Sequence, residues 1–344
     1  MKRYFILFCS AFILISWVGS EANAQGQSRA AAERHIAAAR AAAYEPGHDL
    51  TVLYDTVCED ALSERGPVER GLQVAESLAN RKIPPRSEWF TEPAKIFDNL
   101  YYVGSQTQST WAVTTSDGII LVDTGYDYTA KELMTDGLKK LGLDPAQIKY
   151  VVLSHAHGDR YQGAKYLQDT YKSRIILSEA DWDVMAKSNE PNEIKAKKDM
   201  VATDGMKLTL GDTTLTLYIT PGHTPATIAT LIPLRDGNKR HVGAVWGGIN
   251  PSFERYGIKY YSGLAETFKT WSASTKRFQD IAAKAGADVY LTIHPFYDKA
   301  LDKIHALNFR KPGDPHPFVS KDNLNRFLTI IKECTDAQLA RISS

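Results

Sequence analysis

Ser154-His155-Ala156-His157-Gly158-Asp159-Arg160 is the stretch on which the reading of this chain turns. It closes a strand-like apolar run over residues 150–154 and opens a helix-like stretch over 163–171. A strand end holds such a loop firmly, so two imidazoles and a carboxylate within five residues are able to converge on one cation. Neutral imidazole nitrogen and carboxylate oxygen both suit zinc. A hydrogen-bonded surface turn would use the same residue types, so the loop alone does not decide the matter.

Two further histidines stand in similar places. His223 lies in PGHTP (221–225), after a strand-like run at 213–219, and His294 precedes Pro295 after a run at 289–292. Three strand ends that each deliver histidine to a loop predict a metal site. His35, His48, His305 and His316 lie in terminal segments or beside breakers, and His241 begins a strand-like run. These five read as structural.

Working outward, residues 99–103, 111–115, 118–123, 174–178, 206–210, 213–219 and 227–233 also read as strands, and 129–142 and 264–285 as helices. The interleaving predicts an α/β architecture with mixed sheets. Residues 25–70 are rich in Ala, Arg and Glu and predict helix with a polar surface. PPRSEWFTE (84–92) breaks it, and KPGDPHP (311–317) separates a last helix-like stretch at 321–341. The domain reading is a segment of 1–24, a helical extension of 25–87, a main domain of 88–310 and a helical tail of 311–344.

Residues 1–24 have the pattern of a secretory signal: Lys2 and Arg3, an apolar run over 4–18, then Ala22-Asn23-Ala24. The run is shorter than the roughly 20 residues of a bilayer span. Cys9 lies inside it, away from the cleavage end. A periplasmic or secreted protein with no membrane segment after processing is the expectation. Lys and Arg total 41 against 40 Asp and Glu, and the signs balance once Lys2, Arg3 and Glu21 are removed. That balance gives no electrostatic case for nucleic acid or an anionic membrane, and a small molecule is the expected partner. It leaves the oligomeric state open. Cys58 and Cys334 would be the only cysteines left, and an even count in an exported chain predicts that they pair.

LVDTG (121–125), HAHGD (155–159), GHTP (222–225) and HP (294–295) occur in the order and spacing of the metallo-β-lactamase superfamily. The chain resembles that family over roughly residues 88–310, and within it class B, subclass 3, since no cysteine lies between His223 and His294. The resemblance implies a four-layer αββα sandwich carrying N- and C-terminal helical appendages. It further implies a first zinc on His155, His157 and His223, with Asp159 and His294 contributing to a second. The family pattern HxHxDH is broken at Arg160, and a guanidinium has no lone pair to offer a metal. One zinc is therefore expected and a second is not secured.

A tri-histidine zinc brings the pKa of its water to about 7, and hydroxide so formed is expected to open the amide of a β-lactam, with Asp159 orienting it and relaying its proton. Arg160 and Asn250 are the expected substrate contacts, Asn250 because it ends Trp246-Gly247-Gly248-Ile249-Asn250, where subclass relatives carry serines. Two alternatives stay open. One is hydrolysis of a lactone, ester or phosphodiester at the same site, and the other is a zinc-binding protein without turnover.

Overall fold

The computed structural model describes residues 11–44, 50–62 and 82–342, with side chains described for 26–44, 50–58 and 82–342. The side chains of the signal-like segment, and His48, lie outside these residues. Among the described residues no helix is long and apolar enough to cross a membrane.

Two sheets face each other. The first has seven strands in sequence order: Ala94–Phe97, Leu100–Tyr102, Trp111–Thr115, Gly118–Val122, Ile148–Val152, Arg174–Ser178 and Met200–Ala202. Its first three pairings are antiparallel and its last three parallel. The second orders Val289–Thr292, Lys239–Trp246, Ile228–Asp236, Thr213–Ile219 and Met206–Leu210, with only the Val289–Thr292 edge parallel to its neighbour.

Continuous apolar runs in the parallel strands have a direct cause. Ile120, Val122, Val152 and Ile176 point between the sheets, where they meet Leu215, Leu217, Ile228 and Val245. Their alternates Ile119, Leu121, Val151, Ile175 and Leu177 point outward, under Met134, Leu138, Leu167 and Trp182 of the covering helices. A strand covered on both faces has no polar side to show. On the second sheet's outer side, helix Leu264–Lys284 buries Phe268, Trp271, Thr275 and Phe278 at helical spacing.

The predicted helix at 129–142 is present but irregular, with a π-helical turn over Ala130–Thr135 between short α-helical pieces. Elements with no clear sequence signal are the strands Ala94–Phe97 and Met200–Ala202, the helices Glu179–Lys187 and Ala300–Leu307, and a small hairpin of Glu254–Arg255 and Ile258–Lys259.

The terminal helices are more than appendages. Ala39, Ala43, Leu53 and Tyr54 from the N-terminal side, and Leu324, Phe327, Leu328 and Ile331 from Lys321–Ile342, join the same buried cluster as the sheets. Cys58 and Cys334 form a disulfide, closing a sequence separation of 276 between Thr51–Leu62 and Lys321–Ile342.

Candidate metal centre

Strand ends from both sheets meet at one edge. Gly118–Val122 delivers Asp123, Ile148–Val152 the histidine pair, and Arg174–Ser178 leads into the helix that carries Asp181. In the second sheet the turn between Thr213–Ile219 and Ile228–Asp236 carries His223, Lys239–Trp246 runs into Gly247, and Val289–Thr292 runs into His294. A main-chain bond from Ile228 N–H to the Ser154 carbonyl, 2.7 Å, joins the two sheets here.

His155, His157 and His223 each offer a ligand atom, and these atoms lie within 4.8 Å of one another. His155 Nδ1 donates to the Gly247 carbonyl at 2.8 Å, and His223 Nδ1 donates to the Asn250 carbonyl at 2.5 Å. A proton on each Nδ1 leaves each Nε2 with a bare lone pair, and the two Nε2 atoms stand 3.2 Å apart. Sharing a proton there would require one ring to be cationic. Burial first, then the neighbouring histidine and Arg160, hold His155 well below the usual imidazole range, and burial pushes His223 down to about 4. Two neutral acceptors facing each other fit a metal ion between them, so this donor set suits a bound divalent ion.

The segment Gly247–Asn250 thus works through its backbone. Its carbonyls fix two imidazole tautomers, and it comes so close to the site that a Cβ on Gly248 would lie 2.6 Å from His223 Cβ. Asn250, expected to contact substrate, is placed beside the site by its main-chain carbonyl, which accepts from His223.

Asp181, fully buried, accepts hydrogen bonds from Ala156 N–H at 3.0 Å, Thr224 Oγ1 at 2.7 Å and Ala226 N–H at 3.0 Å. One carboxylate therefore ties the loop of His155 and His157 to the loop of His223. Asp123 accepts from Ser154 N–H at 2.7 Å and Ser154 Oγ at 2.8 Å. Burial raises both carboxyls to about 6, partly offset at Asp123 by Arg160 and at Asp181 by the Thr224 hydroxyl. Asp181 falls in a helix that the sequence pattern did not reveal, so no local signal marked it.

Arg160 corrects an expectation. Its side chain is entirely buried, and it donates to the Ile293 carbonyl and to Asp159 Oδ2, with Asp123 Oδ2 at 3.7 Å from Nη1. It therefore neither faces solvent nor offers itself to a substrate carboxylate. Burial works against ionisation of Asp159, yet Arg160 and then His294 hold its carboxyl well below the usual range. His294 Nδ1 donates to the Thr107 carbonyl at 2.6 Å, and its Nε2 lies 3.7 Å from Asp159 Oδ2.

The open side is lined by the hairpin over residues 254–259. Tyr256 Oη accepts Gly158 N–H at 2.8 Å, and Tyr260 Oη lies 3.4 Å from His157 Nε2. Arg255 is exposed, its guanidinium 5.3 Å from the Tyr256 ring centroid, and its charge, second to burial, helps hold His157 well below its ordinary value. Nothing local in the sequence distinguishes Arg255 from a solvated arginine. Of the histidines read as structural, His241 meets Asp288, His35 meets Glu333, and His316 bonds the Ile96 carbonyl.

Residues 103–236 match the family described as the metallo-β-lactamase superfamily. With its two facing sheets and its histidine edge, the chain carries a domain of that superfamily. Among solved structures it is similar to BJP-1, a subclass B3 metallo-β-lactamase of Bradyrhizobium japonicum, with 28% identity and a TM-score of 0.61 over 74% of this chain and 95% of that one. It is also similar to a Cronobacter sakazakii metallo-β-lactamase described by a HARLDQ motif, with 27% identity and a TM-score of 0.57 over 69% of this chain and 90% of that one. Among curated proteins, the N-acyl homoserine lactonase AttM of Agrobacterium fabrum is 32% identical over 109 residues. That match spans 29% of this chain and 41% of AttM.

Proposed function

We propose that this chain is an exported zinc-dependent hydrolase that opens the amide of a β-lactam. The carrying observation is the pair of bare Nε2 atoms of His155 and His223 at 3.2 Å, with His157 beside them. Zinc held there would supply a Lewis acid and make water a nucleophile near neutral pH. Asp159, kept ionised beside the histidines, orients the attacking water and takes its proton. As the carbonyl carbon gains oxygen the C–N bond breaks, and the same proton passes to the departing nitrogen. Arg255 is the exposed cation placed to meet an anionic group on the substrate. The subclass B3 likeness supports a lactam, and the paired cysteines together with the signal-like start support an oxidising compartment outside the cytoplasm.

A lactone is the second reading, favoured by the AttM match. Zinc-loaded protein assayed on a chromogenic cephalosporin, an N-acyl homoserine lactone and an aryl phosphate separates the two. Cephalosporin opening that a chelator abolishes is the expected result. Lactone turnover with an inert cephalosporin would replace the first reading by the second. Zinc uptake with no turnover on any of the three would mean a binding protein.

A further inference from the structure

Zinc held by three histidines leaves open what the neighbouring acidic half of the site does. That half contains Asp159 and His294, whose facing atoms are 3.7 Å apart. Among the described residues, no group of three or more His, Cys, Asp or Glu donors able to hold a metal includes either of them. What stands against Asp159 instead is a positive charge made by the chain itself. Arg160 is 0% exposed, and its Nη2 donates to the same Oδ2 that faces His294. Its Nη1 donates to the Ile293 carbonyl, one residue before His294, and lies 3.7 Å from Asp123.

We infer that Arg160 is a built-in replacement for a second metal ion, so that the protein binds one zinc and supplies the other positive charge from its own side chain. The inference rests on the tri-histidine reading of the first site. Three features of Arg160 carry it. Buried among two carboxylates and a carbonyl, the guanidinium occupies acceptors that a divalent ion would need. It offers no lone pair in return, and among the described residues Asp159 and His294 belong to no group of three donors able to hold a metal. Its charge also repels a second cation across a short, poorly solvated distance. The family pattern for two ions and this residue set therefore disagree, and the disagreement has a physical purpose. A fixed cation holds Asp159 in place through the Nη2 hydrogen bond without depending on the supply of a second metal.

The test is metal stoichiometry on the full chain. Metal-free protein is titrated with cobalt(II), followed by its visible absorption, and with zinc against a chromophoric chelator. One tight equivalent is expected for the wild type, and a second is expected to appear in Arg160→His, checked for folding by circular dichroism. Two tight equivalents in the wild type would overturn the inference and leave the histidine site standing. A folded Arg160→His that still takes one equivalent would also overturn it, because the arginine would then not be what excludes the ion. If that variant does not fold, the wild-type count decides. No binding at all would remove the tri-histidine reading itself, a result distinguishable from the others.

Discussion

His155 and His223 act as neutral bases because their other nitrogens are already engaged by the Gly247 and Asn250 carbonyls. Protons and metal ions compete for the same Nε2 lone pairs, and the proton is disadvantaged in this environment. An ordinary imidazole, with a pKa of about 6.5, is mostly protonated at about pH 5.5. Burial, seconded by neighbouring positive charge, keeps His155 and His157 well below that range, and burial brings His223 down to about 4. A lowered pKa keeps the neutral form present at more acid pH, so metal is lost as pH falls towards the depressed values. Zinc retained after desalting should stay near its neutral-pH level at about pH 5.5. Half-loss already at the ordinary imidazole value would contradict the assignment.

At the scale of elements, the hairpin of Glu254–Arg255 and Ile258–Lys259 is a short arm held to the metal loop by the bond from Gly158 N–H to Tyr256 Oη. It presents Arg255 to solvent beside the Tyr256 ring. Arg255→Ala should therefore raise KM for a carboxylate-bearing lactam by about tenfold, the size of one charge-assisted hydrogen bond, with kcat and zinc content little changed. Equal KM in both proteins would show that the arginine is merely solvated. The segment Gly247–Asn250 makes the complementary point. Gly248 lies so near His223 that any side chain must push it, so Gly248→Ala should weaken zinc binding while leaving the preceding strand Lys239–Trp246 intact. Zinc affinity measured by chelator competition checks this, and an unchanged value would count against the carbonyl cradle.

Across the whole molecule, the terminal helices and the sheets share one apolar cluster, and the Cys58–Cys334 bond fixes Thr51–Leu62 to Lys321–Ile342. Arg326 adds a hydrogen bond of 2.7 Å to the Ala42 carbonyl. Closing so long a loop restricts the unfolded chain, with a typical contribution of about 2–4 kcal/mol. Cys58→Ser should lower the denaturant midpoint accordingly while zinc at the histidine site stays the same, since His155, His157 and His223 all lie outside these helices. An unchanged midpoint would mean that the shared apolar cluster alone secures the ends.

Much of this was legible in the chain. Local pattern placed Trp111–Thr115, Arg174–Ser178, Met206–Leu210, Thr213–Ile219 and Val289–Thr292 at their observed bounds, because a short apolar or alternating run and its flanking turn residues are properties of short segments. The same locality put His155, His157, His223 and His294 at strand ends. The cysteine count, taken with the signal-like segment that holds Cys9, predicts the disulfide that joins Cys58 to Cys334. Tertiary structure decided what depends on residues far apart in sequence. Asp181 binds two histidine loops from a helix with no strong signal, and Gly247 and Asn250 serve through carbonyls that every residue possesses. Arg160 and Arg255 have the same side chain in the sequence. One is sealed between Asp159, Asp123 and Ile293 and the other left at the rim, a difference set by which surfaces the two sheets cover when they close.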